Sequence, residues 1–199
     1  VLSGAAFAVS GAILQGVLSN NMASPNVVGV NSGAGLGAAL CMLFAPSKAW
    51  VFPVGVFLGA FLTAMFVYTV AARNGVSKTN LVLTGLAIGS VLSAGINAIS
   101  VLNPDILVGN SSFMMGGFAF VTAAQLRFAA PQIILGLLAA TLLGYELNLL
   151  TLGEDLAATL GLRVKLYRFI FIALAALLAG SAVSFSGLLG FVGLLVPHI

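Results

Sequence analysis

Residues that could carry out catalysis are scarce in this 199-residue sequence and lie far apart along it. The candidates are Cys41, Asp105, Glu146, Glu154, Asp155 and His198. Intramembrane proteolysis, metal-assisted hydrolysis and metal binding each need several such side chains close together in a recognisable pattern. We therefore expect no enzyme activity, no metal site and no cofactor.

A nucleotide-binding loop is also missing from the sequence. No segment has the form G-x-x-x-x-G-K-[ST], whose backbone N–H groups cradle phosphates. Gly33, Gly35 and Gly37 lack the spacing of the dinucleotide fingerprint, and no strand is predicted before them. If ATP drives this protein, a separate polypeptide must bind the ATP.

The composition indicates what surrounds these few polar residues. Hydrophobic residues make up 61% of the chain and charged residues 6%, with a mean hydropathy of +1.20. Soluble domains carry about a quarter charged residues, whereas a charge in the middle of a bilayer costs roughly 2.5 to 3.5 kcal/mol. The sequence therefore predicts an all-α, polytopic transmembrane bundle that forms one domain over residues 1–199.

The positions of the charges and turn residues divide this domain into helices. Crossing a bilayer takes about 20 apolar residues, and Pro25 within the polar stretch 19–26 separates the first two segments. A short helix or re-entrant segment is predicted at 105–119, and a last apolar segment begins near 188. About six to seven spans result, with helices near 1–18, 27–46, 49–72, 80–102, 127–145 and 166–185.

Basic residues predict the orientation, because short loops rich in Lys and Arg stay in the cytoplasm. Loops 19–26, 73–79 and 146–165, with the start of the helix that follows, hold five of the seven basic residues, and the opposite loops hold two. The first group is Arg73, Lys78, Arg163, Lys165 and Arg168, and the second is Lys48 and Arg127. We place the first group in the cytoplasm. This scattered pattern follows membrane topology, and we expect no nucleic-acid partner.

The segment 146–165 is the most polar connection in the chain, and two short helices are predicted within it. Leu156 and Leu160 lie four residues apart, so one apolar face could dock into the groove of a partner. A solvated helix at the membrane surface with no partner is the alternative. The residues alone leave both interpretations open.

Several segments resemble, in matching order, the FecCD family of permeases, which serve importers of iron-siderophores, haem and cobalamin. Within 146–165, the run LNLLTLGEDLA at 147–157 and the pair Leu160-Gly161 carry the resemblance. The other segments are 4–16 (GAAFAVSGAILQG), 20–35 (NNMASPNVVGVNSGAG), 113–118 (FMMGGF) and 186–199 (SGLLGFVGLLVPHI). Together they cover most of the chain.

The resemblance implies a transport subunit of an ATP-binding cassette importer of the type II kind. Family members have about ten spans, so we expect this sequence to correspond to the portion from the second helix to the start of the eighth. Implied partners are cytoplasmic ATPase subunits, a second permease copy, an extracytoplasmic substrate-binding protein and membrane lipid. The implied location is the inner or plasma membrane of a bacterium.

Two groups of site residues follow from the resemblance. The first would form a cytoplasmic coupling loop for the ATPase, in which Glu154 makes the mechanical contact: Leu152, Gly153, Glu154, Asp155, Leu156, Ala157, Leu160 and Gly161. The second would form the cytoplasmic gate and pathway: Asn20, Met22, Ser90, Ser93 and Asn97. Residues 19–23 read S-N-N-M-A where the family has R-N-P-L-A. Hydrogen bonds between packed helices are the alternative role for the polar residues of the helix at 80–102.

Two other functional classes stay open at this point. A secondary transporter coupled to an ion gradient usually carries ionisable residues inside its spans, and here Arg127 and Arg168 lie at predicted helix ends. A membrane scaffold that transports nothing would need neither a gate nor a docking loop. The presence or absence of a bound ATPase subunit separates both from the importer.

Overall fold

A computed structural model describes residues 1–46, 48, 50–73, 78–119, 121–189 and 191–198, which contain ten α-helices and no strand. Two 3-10 turns, Pro25–Val28 and Val196–His198, complete the regular structure of these residues. The helices are α1 (Leu2–Leu18), α2 (Val30–Phe44), α3 (Val51–Arg73), α4 (Lys78–Leu102), α5 (Pro104–Met115), α6 (Ala123–Leu142), α7 (Gly144–Thr151), α8 (Glu154–Thr159), α9 (Val164–Ser186) and α10 (Val192–Leu195). The all-α prediction is confirmed.

Four of these helices, α3, α4, α6 and α9, are long and apolar enough to cross a membrane. Two more, α1 with 17 residues and α2 with 15, are apolar but shorter. The predicted final segment contains only the short α10 within the described residues. Of the six to seven predicted spans, four are full-length helices and two are shorter apolar helices, and α10 with its four residues is too short to cross a bilayer.

Two helix starts differ from the prediction for local reasons. Helix α2 begins at Val30 because Pro25–Val28 forms a 3-10 turn and Gly29 has a φ of 77°. Helix α6 begins at Ala123 because Thr122 and Gln125 form a capping box, in which each side chain accepts a hydrogen bond from the other residue's backbone N–H. A charged residue was expected to mark the boundary, but Arg127 lies inside the helix.

Helix α9 lies at the centre of the bundle and packs against α1, α3 and α6. Phe171 and Ile172 on it are completely buried. The Ser10 hydroxyl of α1 donates a hydrogen bond to the Ala175 carbonyl of α9, at 2.8 Å. Lipid tails are as apolar as leucine, so close packing and such hydrogen bonds hold the helices together.

Glycines allow α2 and α3 to pack closely against each other. A Cβ atom on Gly33 would overlap the Gly59 carbonyl oxygen, and one on Gly37 would overlap the Gly55 carbonyl oxygen. Side chains larger than hydrogen at these positions would push the two backbones apart. This arrangement is the membrane packing that small residues at four-residue spacing favour.

The loops assigned to the cytoplasm by charge lie at one end of the bundle. Near the end of α1, a Cβ atom on Gly16 would lie 3.2 Å from the Leu147 side chain of α7. Near the end of α3, the Tyr68 hydroxyl donates to the Lys165 carbonyl at 3.2 Å. In the predicted loop 73–79, residues 74–77 lie outside the described residues.

Candidate functional site

Residues 146–165, here called the coupling segment, contain most of α7, then α8, and then the start of α9. Gly153 separates the two short helices with a φ of 112°, and Gly161 follows α8 with a φ of 86°. The Leu162 N–H donates to the Ala157 carbonyl at 3.0 Å and so closes the end of α8. The structure therefore has the two short helices expected here.

The coupling segment presents an apolar surface away from the bundle. Leu152 and Leu156 are each 58% exposed and Leu160 is 61% exposed, while Ala157 is fully buried. Asp155 is also exposed, beside these leucines in the sequence. Leu156 and Leu160 lie four residues apart at α8, while Gly153 separates Leu152 from them. Exposed leucines on such a loop can be covered by a partner's groove. We call Leu152, Leu156 and Leu160 the leucine surface.

Glu154, the first residue of α8, forms an ion pair within the chain. Its carboxylate Oε1 accepts a hydrogen bond from Arg168 Nη2 of α9 at 2.5 Å. The Arg168 side chain is 3% exposed and the Glu154 side chain 47% exposed. We expected Glu154 to make the mechanical contact with the ATPase. The structure pairs its carboxylate with a basic residue of the same chain, and the contact with the ATPase stays a prediction.

Ser90, Ser93 and Asn97 lie on one exposed face of α4 and line a groove of about 460 Å³. Asn26 from the 3-10 turn and Ser32 from α2 line the same groove. The Ser90 hydroxyl donates to the Leu86 carbonyl of its own helix at 2.9 Å. Polar side chains from three elements therefore meet in one groove beside α4, a helix long and apolar enough to cross a membrane.

Asn20 and Met22 do not line this groove. They lie in the turn after α1, where the Asn20 side-chain oxygen accepts a hydrogen bond from the Met22 N–H at 2.9 Å. The Met22 side chain is exposed. The structure thus separates the two predicted gate residues from the three predicted pathway residues, and Asn26 lies between them in the sequence, in the 3-10 turn that precedes α2.

Sequence reasoning missed three residues of these sites. Arg168 was assigned only to a helix end, and Asn26 and Ser32 were assigned only to a turn and a packed helix. Arg168 is 14 residues from Glu154, and no helical spacing joins positions so far apart. The sequence offered only an acidic residue in the predicted polar loop and a basic residue just inside the next predicted helix.

Comparison with known proteins agrees with these features along the whole chain. A profile of the FecCD transport family matches residues 1–199. The Fe(3+)-citrate import system permease protein YfmE of Bacillus subtilis (strain 168) is 36% identical over 200 residues, which is 100% of this chain and 60% of YfmE. The cobalamin import system permease protein BtuC of Halobacterium salinarum is 38% identical over 203 residues, which is 98% of this chain and 53% of that protein.

A solved structure supports the same fold. It shows an inward-facing conformation of a metal-chelate type ABC transporter and superposes with a TM-score of 0.86 at 29% sequence identity. The superposition covers 99% of this chain and 64% of the other. The chain therefore spans a little over half to nearly two thirds of the length of the proteins it matches.

Proposed function

This chain belongs to the FecCD transport family, and we propose that the full-length protein is the transmembrane permease subunit of an ATP-binding cassette importer for metal chelates. The family and the apolar helices make it a multi-pass protein of the cell membrane. The proposed cargo is an iron-siderophore, haem or cobalamin, carried into the cytoplasm. ATP hydrolysis is assigned to a separate subunit.

The observation that carries this proposal is the match of the FecCD profile to every residue from 1 to 199. The matched relatives are named for ferric citrate and for cobalamin. Both cargoes are metal ions enclosed by an organic ligand, so the class of metal chelates is the common chemistry. A permease for one of these chelates accounts for the polar groove on α4 as well.

We assign the ATPase contact to the leucine surface together with the exposed Glu154, Asp155 and Gly161 and with Gly153, while the buried Ala157 supports the loop from the bundle side. Apolar side chains exposed on a polar loop gain stability when a partner covers them. Ala157 and the Glu154–Arg168 ion pair hold the opposite side of α8 against the bundle. The segment is therefore fixed on one side and available to a partner on the other.

We assign the translocation pathway to the groove of Ser90, Ser93 and Asn97, with Asn20 and Met22 near its cytoplasmic exit. Exposed polar groups at membrane depth are stable when they line a water-filled cavity. A second permease copy would close the groove from the opposite side, and a substrate-binding protein would deliver the chelate from outside. Residues 1–199 would then form one part of a single permease domain.

The proposal is tested by reconstituting the full-length permease in proteoliposomes with its candidate ATPase subunits inside and its binding protein outside. Uptake of labelled ferric citrate, a ferric hydroxamate, haem and cobalamin is measured with and without ATP. We expect ATP-dependent uptake of one chelate class and co-purification of the ATPase with the permease.

Two results would contradict the proposal and favour another class. Uptake that follows a proton or sodium gradient without ATP would indicate a secondary transporter. A protein that neither binds an ATPase nor moves any of the four chelates would be a scaffold. Omitting the binding protein provides the control, because it should abolish uptake while the ATPase stays bound.

A further inference from the structure

We propose that α9 transmits movement of the coupling segment to α5 at the opposite end of the bundle, and that Arg168 is the positioning residue at its first contact. This inference rests on the proposed function, because it assumes that an ATPase displaces the coupling segment. Helix α9 receives the displacement at the end near Arg168 and passes it to α5 at its other end.

At the first end, the Glu154–Arg168 ion pair joins α8 to α9. Arg168 is almost fully buried, so its charge depends on partners inside the protein rather than on water. A displacement of α8 that separated the two side chains would leave that buried charge without the Glu154 carboxylate. Helix α9 is therefore expected to follow α8 when α8 moves.

Further contacts at the same end make this attachment stiff. Ala157 of α8 is fully buried, and α8 packs on α9. The Tyr68 ring of α3 lies 5.5 Å from the Phe169 ring, centroid to centroid, and the Tyr68 hydroxyl donates to the Lys165 carbonyl. The start of α9 is thus fixed to both α8 and α3.

At the opposite end, α9 is joined to α5 by backbone hydrogen bonds. The Gly117 N–H donates to the Ser186 carbonyl at 2.7 Å, and the Leu188 N–H donates to the Phe113 carbonyl at 3.2 Å. A Cβ atom on Gly187, which has a φ of 68°, would lie 2.6 Å from the Phe113 carbonyl oxygen. The two chain segments therefore touch without a side chain between them. We call these residues the α5–α9 contact.

Between its two ends, α9 is a continuous helix suited to carrying displacement. It has 23 residues and no proline, which corresponds to a length of about 35 Å. Of its most apolar 18-residue window, 78% of the residues are buried. Packed interiors deform little, so a shift at one end of such a helix appears at the other.

The position of α5 connects this movement to the groove. Helix α4 ends at Leu102 and α5 begins at Pro104, so one residue, Asn103, joins the two helices. Helix α5 packs on both α2 and α4. A displaced α5 therefore acts directly on α4, which carries Ser90, Ser93 and Asn97.

The first test breaks each end of α9 separately in the full-length permease, assembled with its ATPase and binding protein in proteoliposomes. Arg168→Met removes the ion pair, and Gly187→Ala separates the α5–α9 contact. We expect each variant to retain bound ATPase and ATP hydrolysis while chelate uptake per ATP falls about tenfold. Arg168→Lys keeps the charge and should recover part of the uptake.

Matched controls distinguish loss of transmission from general damage. Arg73→Met removes an exposed arginine at the end of α3, outside the coupling segment and α9, and we expect normal uptake per ATP. Gly117→Ala places a Cβ where no atom lies within 4 Å, so it isolates backbone strain from the overlap at Gly187. Chelate uptake per ATP should therefore fall less in Gly117→Ala than in Gly187→Ala.

A second measurement follows α5 itself. A cysteine replaces the exposed Met115, and its labelling rate is measured with and without ATP in a protein whose Cys41 is alanine. We expect a nucleotide-dependent rate in the parent protein and a nucleotide-independent rate once Arg168→Met is added. If Arg168→Met does not insert, Glu154→Gln takes its place, because it removes the charge but keeps an acceptor oxygen.

The outcomes separate this inference from the proposed function. A parent permease that binds no ATPase and takes up no chelate contradicts the proposed function and the role of α9 with it. A parent that transports, together with Arg168→Met and Glu154→Gln variants that match its uptake per ATP, overturns the role of α9 alone. Labelling at residue 115 that ignores nucleotide in a transporting parent overturns it as well.

Discussion

Helices α9 and α4 are similarly apolar and lie in opposite surroundings. Their most apolar windows have mean hydropathies of 2.2 and 1.8, but 78% of the α9 window is buried in the bundle and 17% of the α4 window. Hydropathy determines whether a segment enters the membrane. It does not determine whether protein, lipid or a water-filled pathway surrounds the segment there.

Polar side chains distinguish the two helices more clearly. The buried Ser181 of α9 donates to the Gln132 side chain of α6 at 2.8 Å, so it holds two helices together. Ser90 of α4 donates to its own helix and faces a groove. Buried polar groups that bond across helices support the fold, and exposed polar groups at membrane depth mark a functional face.

The largest expected effect comes from the core of α9. Leu178 is fully buried, and Leu178→Ala would leave a cavity that the packed bundle cannot close. We expect a loss of about 3 kcal/mol in the free energy of unfolding. Unfolding in mixed micelles with increasing SDS measures it.

Leu83→Ala on α4 is the matched control, because Leu83 is mostly exposed. Its expected effect is below about 0.5 kcal/mol. Equal losses of unfolding free energy in the two variants would mean that α4 is packed as tightly as α9 in the full-length protein. That result would contradict the difference in surroundings between the two helices.

The next effect concerns transport rather than stability. Asn97→Leu replaces a polar side chain of the groove with an apolar one of similar size. We expect the uptake rate of the reconstituted permease to fall about tenfold, equivalent to about 1.4 kcal/mol, with unchanged thermal stability. Val91→Leu, on the apolar face of the same helix, should transport normally. Normal uptake by Asn97→Leu would remove the groove from the pathway.

The smallest effect tests the two serines. Ser181→Ala breaks the hydrogen bond between α9 and α6, and we expect a loss of about 0.6 kcal/mol in unfolding free energy. Ser90→Ala breaks a bond within α4 only and should cost less. SDS unfolding of both variants checks the order, and a larger loss for Ser90→Ala would reverse the assignment of buried and exposed polar groups.

Much of the fold could be predicted because charges and turn residues mark the ends of apolar segments. Helix α1 matches its predicted range to within one residue at each end. The errors at α2 and α6 arise from local hydrogen bonding at Pro25–Val28 and at Thr122, which hydropathy does not register. Apolar composition alone could not indicate that α9 is central, because α4 has nearly the same composition.

The candidate site was predicted in part. Resemblance to the FecCD family led to the coupling segment and to Ser90, Ser93 and Asn97, and the structure places these three in one groove. The Glu154–Arg168 ion pair depends on the turn between α8 and α9, so it follows from tertiary structure and not from spacing. The roles of all these residues in transport stay predictions.

Accessibility of α4 and α9 to water tests the central claim most directly. Single cysteines replace Ser93 and the buried Ser184 in the full-length permease, with Cys41 changed to alanine, and react with a membrane-impermeant thiol reagent. We predict that the cysteine at 93 is labelled and protected by the transported chelate, while that at 184 reacts only after unfolding. Labelling at 184 in the folded protein, or an unreactive cysteine at 93, would contradict the assignment of α4 to the pathway and α9 to the core.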